Sequence, residues 1–129
     1  MTEFIKLGEI DTCLRLLERE FGRLKTNELI ITNERINHIK THHPEDFELF
    51  EQFGLLAVRE PDIILKDSKN QGTVLMIKNL ENINLNIVVR LVIKSDDENF
   101  KNSVMTFFRL RQKNLEKLKK RNKVLYIKE

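Results

Sequence analysis

The sequence predicts an α+β domain in which N-terminal helices pack on one face of an antiparallel β-sheet of four or more strands. Apolar residues recur at helical spacing in the first half of the chain, and after Pro61 they alternate with period two. Turn-like segments separate the alternating stretches, and short links between consecutive strands favour an antiparallel meander. Helices followed by a run of strands are typical of the α+β class.

Residues 1–129 are expected to form one domain. The chain has four glycines, two prolines, no low-complexity linker and no repeat, and its length allows one modest core. The single cysteine excludes a disulfide-stapled secreted fold. No apolar run is long enough to span a bilayer, and the N-terminus does not resemble a signal peptide. We therefore expect no membrane contact, and a protein that acts in the cytoplasm or is delivered into a target cytoplasm.

The first helix is predicted from a stripe of apolar residues at helical spacing. Asp11 and Thr12 are its N-cap candidates, because their side-chain oxygens can accept from free backbone N–H groups. Cys13 belongs to the stripe, and we expect it to be a small core residue. The members of the stripe are Ile10, Cys13, Leu14, Leu17, Phe21 and Leu24.

A short strand and two further helices follow before Pro61. The segment LIIT, residues 29–32, has the composition of a strand, and Thr32 or Asn33 then caps the second helix. Pro44 limits that helix and suits the first turn of a third one. Gly54 is expected to help end the third helix.

Four strands are predicted after Pro61, followed by a basic helix and a last strand. In the third of the four, the odd-numbered residues from Leu85 to Ile93 fall on one face, which must pack on the helices. Arg90 therefore stands on the opposite face, in mid-strand. The strand candidates are residues 62–67, 73–79, 85–94 and 103–110, and QKNLEKLKKRN and KVLYIK supply the final helix and strand.

The positive charge lies near the C-terminal end of the sequence. Residues 101–129 hold ten Lys and Arg against two Glu, whereas residues 1–100 hold thirteen basic and eighteen acidic residues. This asymmetry favours a polyanionic partner, because each cation placed near a phosphate releases a counterion. A solvated, lysine-rich helix is the alternative interpretation.

All three histidines lie in the stretch ERINHIKTHHPEDF, residues 34–47. His38 and His42 are four residues apart, which is the spacing of two zinc ligands on one helix face. A third ligand is missing, apart from His43 or a distant carboxylate, and no HExxH motif is present. The sequence therefore does not predict a metal site.

The same residue types suit RNA cleavage without a metal. A base removes the proton of the 2′-OH, and an acid protonates the leaving oxygen; His38 and His43 suit both tasks. Arg90 would stabilise charge on the phosphate, and Thr106 would donate its hydroxyl. Lys78 is expected on the same face as Arg90. The alternatives are a surface ion-pair residue for Arg90, a β-former for Thr106 and a helix cap for each histidine.

Several stretches together resemble a known family. KLGEID, LIITNERINHIKTHHPEDF, EPDIILKDSKNQGTVLMIK, IVVRLVI, KNSVMTFFRL and NKVLYIKE follow one another over residues 6–128. This succession resembles the phage-associated PBECR-type nucleases, which are grouped with barnase, EndoU, the colicin tRNases and RelE-like toxins. The family pattern has an IT-x-ER-x-x-HI-x-x-x-HP helix, a PD-x-IL strand, a V-V-x-L strand and an N-S-V-x-T strand.

The resemblance implies a metal-independent ribonuclease of the BECR fold that needs no cofactor. It implies RNA as the substrate and an immunity or antitoxin protein as a candidate partner. The family commonly has Arg before the HP histidine; His42 stands there, which removes one cation, and Lys40 is the candidate to compensate. The residues that match the family's site are Arg35, His38, His43, Arg90, Asn102, Ser103 and Thr106.

Three functions remain open at this point. The first is an endoribonuclease, associated with a toxin or a mobile element, in which His43 transfers protons with His38 as its partner. In this ribonuclease, Arg90 and Thr106 hold the scissile phosphate. The segment 109–121, with Arg109 and Arg111, binds the RNA backbone of a substrate such as tRNA. The second is an inactive RNA- or partner-binding module. The third is a structural element of a phage or conjugative system.

Overall fold

The structure is a computed structural model that describes residues 3–10, 13–93 and 101–128. The cap candidates Asp11 and Thr12, and the predicted end of the third strand of the meander, lie outside the described residues. In chain order the elements are β1 (Phe4–Glu9), α1 (Leu14–Phe21), β2 (Glu28–Thr32), α2 (Asn33–His42), α3 (Pro44–Arg59), β3 (Ile63–Lys66), β4 (Thr73–Asn79), β5 (Asn84–Arg90), β6 (Asn102–Leu110), α4 (Gln112–Arg121) and β7 (Lys123–Ile127).

The strands form one seven-stranded sheet with the order β1-β2-β6-β5-β4-β3-β7. Strands β3 to β6 form the predicted antiparallel meander, and β1 pairs antiparallel with β2. Strand β2, however, runs parallel to β6. The α+β class is confirmed, and the sheet is mixed rather than antiparallel throughout. Hydrophobic alternation within a strand does not encode which strand it pairs with.

Strand β1 was not predicted. Its side chains are exposed or half-buried along the whole element, so its sequence lacks the alternating apolar face that marks a half-buried strand. Phe4 and Ile5 are both exposed. The strand forms because it lies at one edge of the sheet, where its backbone pairs with β2.

Two hydrophobic cores lie on opposite faces of the sheet. In the first, Leu17 of α1, Ile39 of α2 and Phe50 of α3 pack with Met76 and Ile87. We call this side of the sheet the α1–α3 face. In the second core, Leu115 of α4 packs with residues that alternate with the first set along the strands, and we call this the α4 face. The buried sheet residues of the second core are Ile63, Leu65, Leu75, Ile77 and Leu110.

The helix boundaries follow local chemistry, with one exception. Thr32 caps α2, since its hydroxyl accepts from the backbone N–H of Arg35 at 3.2 Å, and Pro44 stands in the first turn of α3. The expectation that Gly54 helps end α3 is wrong, because the helix continues to Arg59. Gly54 is needed for space instead: a Cβ there would come within 2.8 Å of the Phe50 ring.

Replacing Gly54 by Ala is expected to destabilise the protein. Alanine favours a helix over glycine by about 1 kcal/mol, but the added methyl would displace the Phe50 ring from its stack on Phe107, where the centroids are 3.9 Å apart. Overpacking of this kind costs about 1–3 kcal/mol, so chemical denaturation should show a lower free energy of unfolding. Gln52→Ala, at an exposed position of the same helix, is the control. A stabilised Gly54→Ala variant would contradict this packing.

The Cys13 thiol is expected to be unreactive in the folded protein. Cys13 is 7% exposed, and its burial raises the pKa of the thiol to about 11. At about pH 8, close to the ordinary thiol pKa of about 8.5, the folded chain should therefore react slowly with a thiol reagent such as dithionitrobenzoate. The denatured chain is the control and should react at once. Rapid modification of the native protein would show that Cys13 is not in the core.

Candidate functional site

A cavity of about 320 Å³ opens on the α4 face of the sheet. Its walls come from β4, β5, β6, α4 and the loop after β3, so that one side is the sheet and the other is the basic helix. Apolar side chains and polar groups share the lining. The lining residues are Asp67, Ser68, Lys69, Asn70, Leu75, Asn86, Val88, Thr106, Phe108, Leu118, Arg121 and Asn122.

Asn86 is the most unusual residue of this lining. It lies in the middle of β5, opposite Ile77 on one side and Phe108 on the other, and is 1% exposed. Within the described residues, neither its Nδ2 nor its Oδ1 has a hydrogen-bond partner. Buried amides are nearly always hydrogen-bonded, because an unpaired one costs about 1–3 kcal/mol. The sequence analysis assigned no role to Asn86. The signal that could have identified it is a polar residue between the apolar residues Leu85 and Ile87.

Thr106, Ser103 and Arg90 lie on the same face as Asn86. Thr106 pairs with Val88 and lines the cavity, and Arg90 pairs directly with Ser103. A register shift between Val88 and Val89 separates these two pairs, and it keeps both on the α4 face. The structure thus brings together three of the predicted site residues.

The guanidinium of Arg90 is held at the mouth of the β3–β4 turn. Gly72 has a φ of +75°, in the left-handed region that favours glycine, and a Cβ there would come within 3.3 Å of Arg90 Nε. Arg90 is exposed, and its side chain forms no hydrogen bond or ion pair with the part of the chain that the structure describes. Arg90 lines a depression with Glu20, Phe21 and Lys66, and it does not line the cavity that contains Thr106.

Lys78 does not lie beside Arg90. The register pairs Lys78 with Leu85 of the first core, which puts its side chain on the α1–α3 face. There Lys78 Nζ donates to the carbonyl oxygen of Glu60 at 2.8 Å and lies 3.5 Å from Asp62 Oδ1. The expectation that Lys78 and Arg90 share a face is wrong, because Thr73 rather than Val74 stands opposite Arg90.

The histidines lie on the other layer of the molecule. His38, His42 and His43 are exposed on α2 and at its C-terminus, and α2 packs through Ile39 into the first core. The rings of His38 and His42 are 4.6 Å apart between centroids. Among the described residues, no imidazole forms a hydrogen bond, and no contact joins a histidine to Arg90 or Thr106. The described part of the chain also contains no group of three or more His, Cys, Asp or Glu that could hold a metal ion.

Arg109 is already paired. Its Nε donates to Asp46 Oδ1 at 2.6 Å, and its Nη1 donates to Glu45 Oε2 at 2.5 Å. The hydrogen bond that Asp46 accepts, followed by the weaker effect of Glu45, raises the pKa of Arg109. These contacts connect β6 to the start of α3, and they give Arg109 a structural role.

Asn102 is likewise committed to the fold. It is fully buried, and its Nδ2 donates to the carbonyl oxygens of Thr26 at 2.7 Å and Glu28 at 2.9 Å. Its Oδ1 accepts from the backbone N–H of Val92 at 2.8 Å. The amide thus joins three segments at the start of β6, and it has no remaining surface for a substrate.

The other predicted contact residues are spread around the molecule. Arg35 is half-buried at the start of α2, and Lys40 Nζ lies 5.5 Å from the centroid of the Phe47 ring. Arg111 is exposed just before α4 and lines a separate depression with Arg109 and Asp46. None of these three lines the cavity; its cations are instead Lys69 and Arg121.

The chain matches no protein-family model, and neither the curated proteins nor the solved structures contain a match.

No helix within the described residues is both long enough and apolar enough to cross a membrane.

Replacing Asn102 by Ala is expected to destabilise the protein by roughly 2–4 kcal/mol, because three buried hydrogen bonds of about 1 kcal/mol each are lost and their backbone partners are left unpaired. Chemical denaturation measures the change. Asn37→Ala, at an exposed position of α2, is the control and should have almost no effect. A comparably small effect for Asn102→Ala would leave the amide free for another role.

Proposed function

We propose that this chain is a metal-independent endoribonuclease that holds the scissile phosphate of its RNA substrate on the α4 face of the sheet. The observation that carries the proposal is the grouping of Arg90, Ser103 and Thr106 on one face by the strand register. Thr106 lines the open cavity, and Arg90 lines a separate depression at the end of β5. The neighbouring helix α4 has three basic residues, Lys119, Lys120 and Arg121, in its last turn. Such a surface suits an RNA backbone, since phosphate contacts supply most of the non-specific affinity for nucleic acid.

In this mechanism the 2′-OH of one nucleotide attacks the adjacent phosphate and expels the 5′ oxygen of the next. Arg90 neutralises the negative charge that develops on the non-bridging oxygens, and the Thr106 hydroxyl donates to one of them. Fixed donors of this type lower the barrier because they require no reorganisation during the reaction. The product is a 2′,3′-cyclic phosphate, and no metal is required.

His43 and His38 are proposed as the proton-transfer pair. Histidine is the side chain that suits both roles near neutral pH. Helix α2 begins where β2 ends and packs against both β2 and β6. Strand β2 pairs with β6 only at Asn102 and Ser103. In the described register, the rest of that edge of β6 has no strand partner. An RNA strand crossing this edge would contact α2 and the α4 face together.

The fold supports the same proposal. Helices α1, α2 and α3 share a core with one face of the β3–β6 meander. The other face is covered in part by α4, which packs on the second core and leaves the cavity beside it for a ligand. We propose that this arrangement is the BECR-type fold. A toxin or mobile-element role in a cytoplasm then follows, and an acidic immunity or antitoxin protein is the partner expected to cover Arg90 and α4.

A second candidate is an RNA-binding module without catalysis. The observation that favours it is the position of the histidines on the other layer, without any described contact to Arg90 or Thr106. In that case RNA would bind with a strong salt dependence, and the histidines would act only as exposed residues at a helix end.

The proposed activity is tested by incubating the protein with total RNA and with tRNA in the presence of EDTA. The wild-type chain should cleave RNA and leave 2′,3′-cyclic phosphate ends. Arg90→Ala should reduce the rate by about 100-fold or more, and His43→Ala by about 100- to 10,000-fold. Arg59→Ala, which removes an exposed arginine from the end of α3, is the charge-matched control and should cleave normally.

The outcomes separate the two candidates. Products with 3′-hydroxyl ends, or an activity that EDTA abolishes, would contradict the transesterification mechanism. RNA binding without cleavage, weakened by Arg90→Ala and unchanged by His43→Ala, would establish the binding module instead.

A further inference from the structure

The unpartnered amide of Asn86 points to a ligand that is specific in shape and polarity. Its Nδ2 and Oδ1 are buried at the floor of the α4-face cavity without a protein partner among the described residues. Asn84, two residues earlier on the same strand and the same face, is also buried, but its Nδ2 donates to Gln112 Oε1 at 3.3 Å. The contrast shows that the fold satisfies one buried asparagine of β5 and leaves the other open.

The chemistry of the amide limits what it can bind. An asparagine presents one acceptor and one donor side by side, so its complement is a planar group with an adjacent donor and acceptor. Adenine presents such a pair on both of its accessible edges, through its exocyclic amino group and either neighbouring ring nitrogen. Cytosine, uracil and guanine each present one on the Watson–Crick edge alone, so adenine can pair with the amide in more orientations than they can. The Asn–adenine pair is also a common mode of base recognition.

The rest of the cavity suits a base as well. Leu75, Val88 and Phe108 provide apolar walls, and the Phe108 ring is an aromatic surface on which a base can stack. The volume of about 320 Å³ is at the lower end of the range for small-molecule sites. Lys69 and Arg121 also line the cavity, so a phosphate attached to the base would meet positive charge.

We infer that this cavity is an adenine-binding subsite, in which Asn86 pairs with the base edge, Phe108 stacks on its plane, and Lys69 and Arg121 neutralise the adjoining phosphate. Thr106 lines the same cavity, so the bound base would belong to a nucleotide next to the scissile phosphate. The inference rests on the proposed ribonuclease function and adds base selectivity to it. An unpaired adenine in an RNA loop is the substrate feature that it selects, since only unstacked bases can enter such a pocket.

The test is a calorimetric titration of adenosine monophosphate into the wild-type chain and into Asn86→Leu, which measures the affinity of each for the nucleotide. Asn86→Leu should bind at least about 10-fold more weakly, the scale expected for loss of a bidentate base contact. Asn84→Leu is the matched control, with nucleotide affinity unchanged. In NMR spectra of the wild-type chain, the nucleotide should shift the Asn86 side-chain amide signals, a measurement that needs no variant.

Thermal stability provides an independent readout. Removing an unpaired buried amide should raise the melting temperature of nucleotide-free Asn86→Leu by about 3 °C or more, whereas Asn84→Leu loses a hydrogen bond and should melt lower. If Asn86→Leu instead melts lower, as the control does, the amide is a structural group satisfied by water, and the inference is overturned.

The affinity outcomes distinguish this inference from the proposed function. If the wild-type chain cleaves RNA but shows no binding at about 10 mM adenosine monophosphate, or binds it equally well as Asn86→Leu, the adenine subsite is wrong and the ribonuclease stands. If adenosine monophosphate binds through Asn86 but RNA is neither cleaved nor bound, the pocket stands as a nucleotide site and the ribonuclease is wrong.

Discussion

The arrangement of the whole site depends on the register of β5 between β4 and β6. This strand is buried on both sides, so Ile87 packs against the helices while Asn86 and Val88 face α4. Side chains of a strand alternate with a period of two, so a slip of one residue would exchange the faces. Asn86 and Arg90 would then point into the α1–α3 core, and neither would reach a ligand. The apolar residues at odd positions fix the register and thereby fix the site.

The polar side chains near the sheet fall into two classes, those with several hydrogen-bond partners and those with none among the described residues. Asn102 and Arg109 are saturated with partners, and each connects β6 to a distant segment. Asn86 and Arg90, on the neighbouring strand, are without partners among the described residues. Asn102 and Arg109 stabilise the fold through their hydrogen bonds, whereas Asn86 and Arg90 are residues on which the proposed function and the proposed base subsite depend.

The sequence predicted the elements better than their arrangement. Period-two alternation identified β3 to β6, and the chemistry of Thr32 and Pro44 located the ends of α2 and α3. Strand β1 was missed because an edge strand with exposed side chains has no hydrophobic pattern. The position of Lys78 was wrong because register depends on contacts between strands. The sequence also could not show how α2 lies relative to Arg90, or that the amide of Asn86 lacks a partner, because both depend on three-dimensional packing.

The position of α4 and β7 has a consequence for how the protein is made. Leu115 completes the core on the α4 face, and β7 adds the strand next to β3. Both elements are synthesised after the strands that they cover. Until they have left the ribosome, the apolar residues Leu75 and Ile77 have no helix over them, and the cavity beside Thr106 lacks the wall that Leu118 and Arg121 supply. Translation of α4 is therefore the step that supplies the last wall of the cavity on which the proposed site depends.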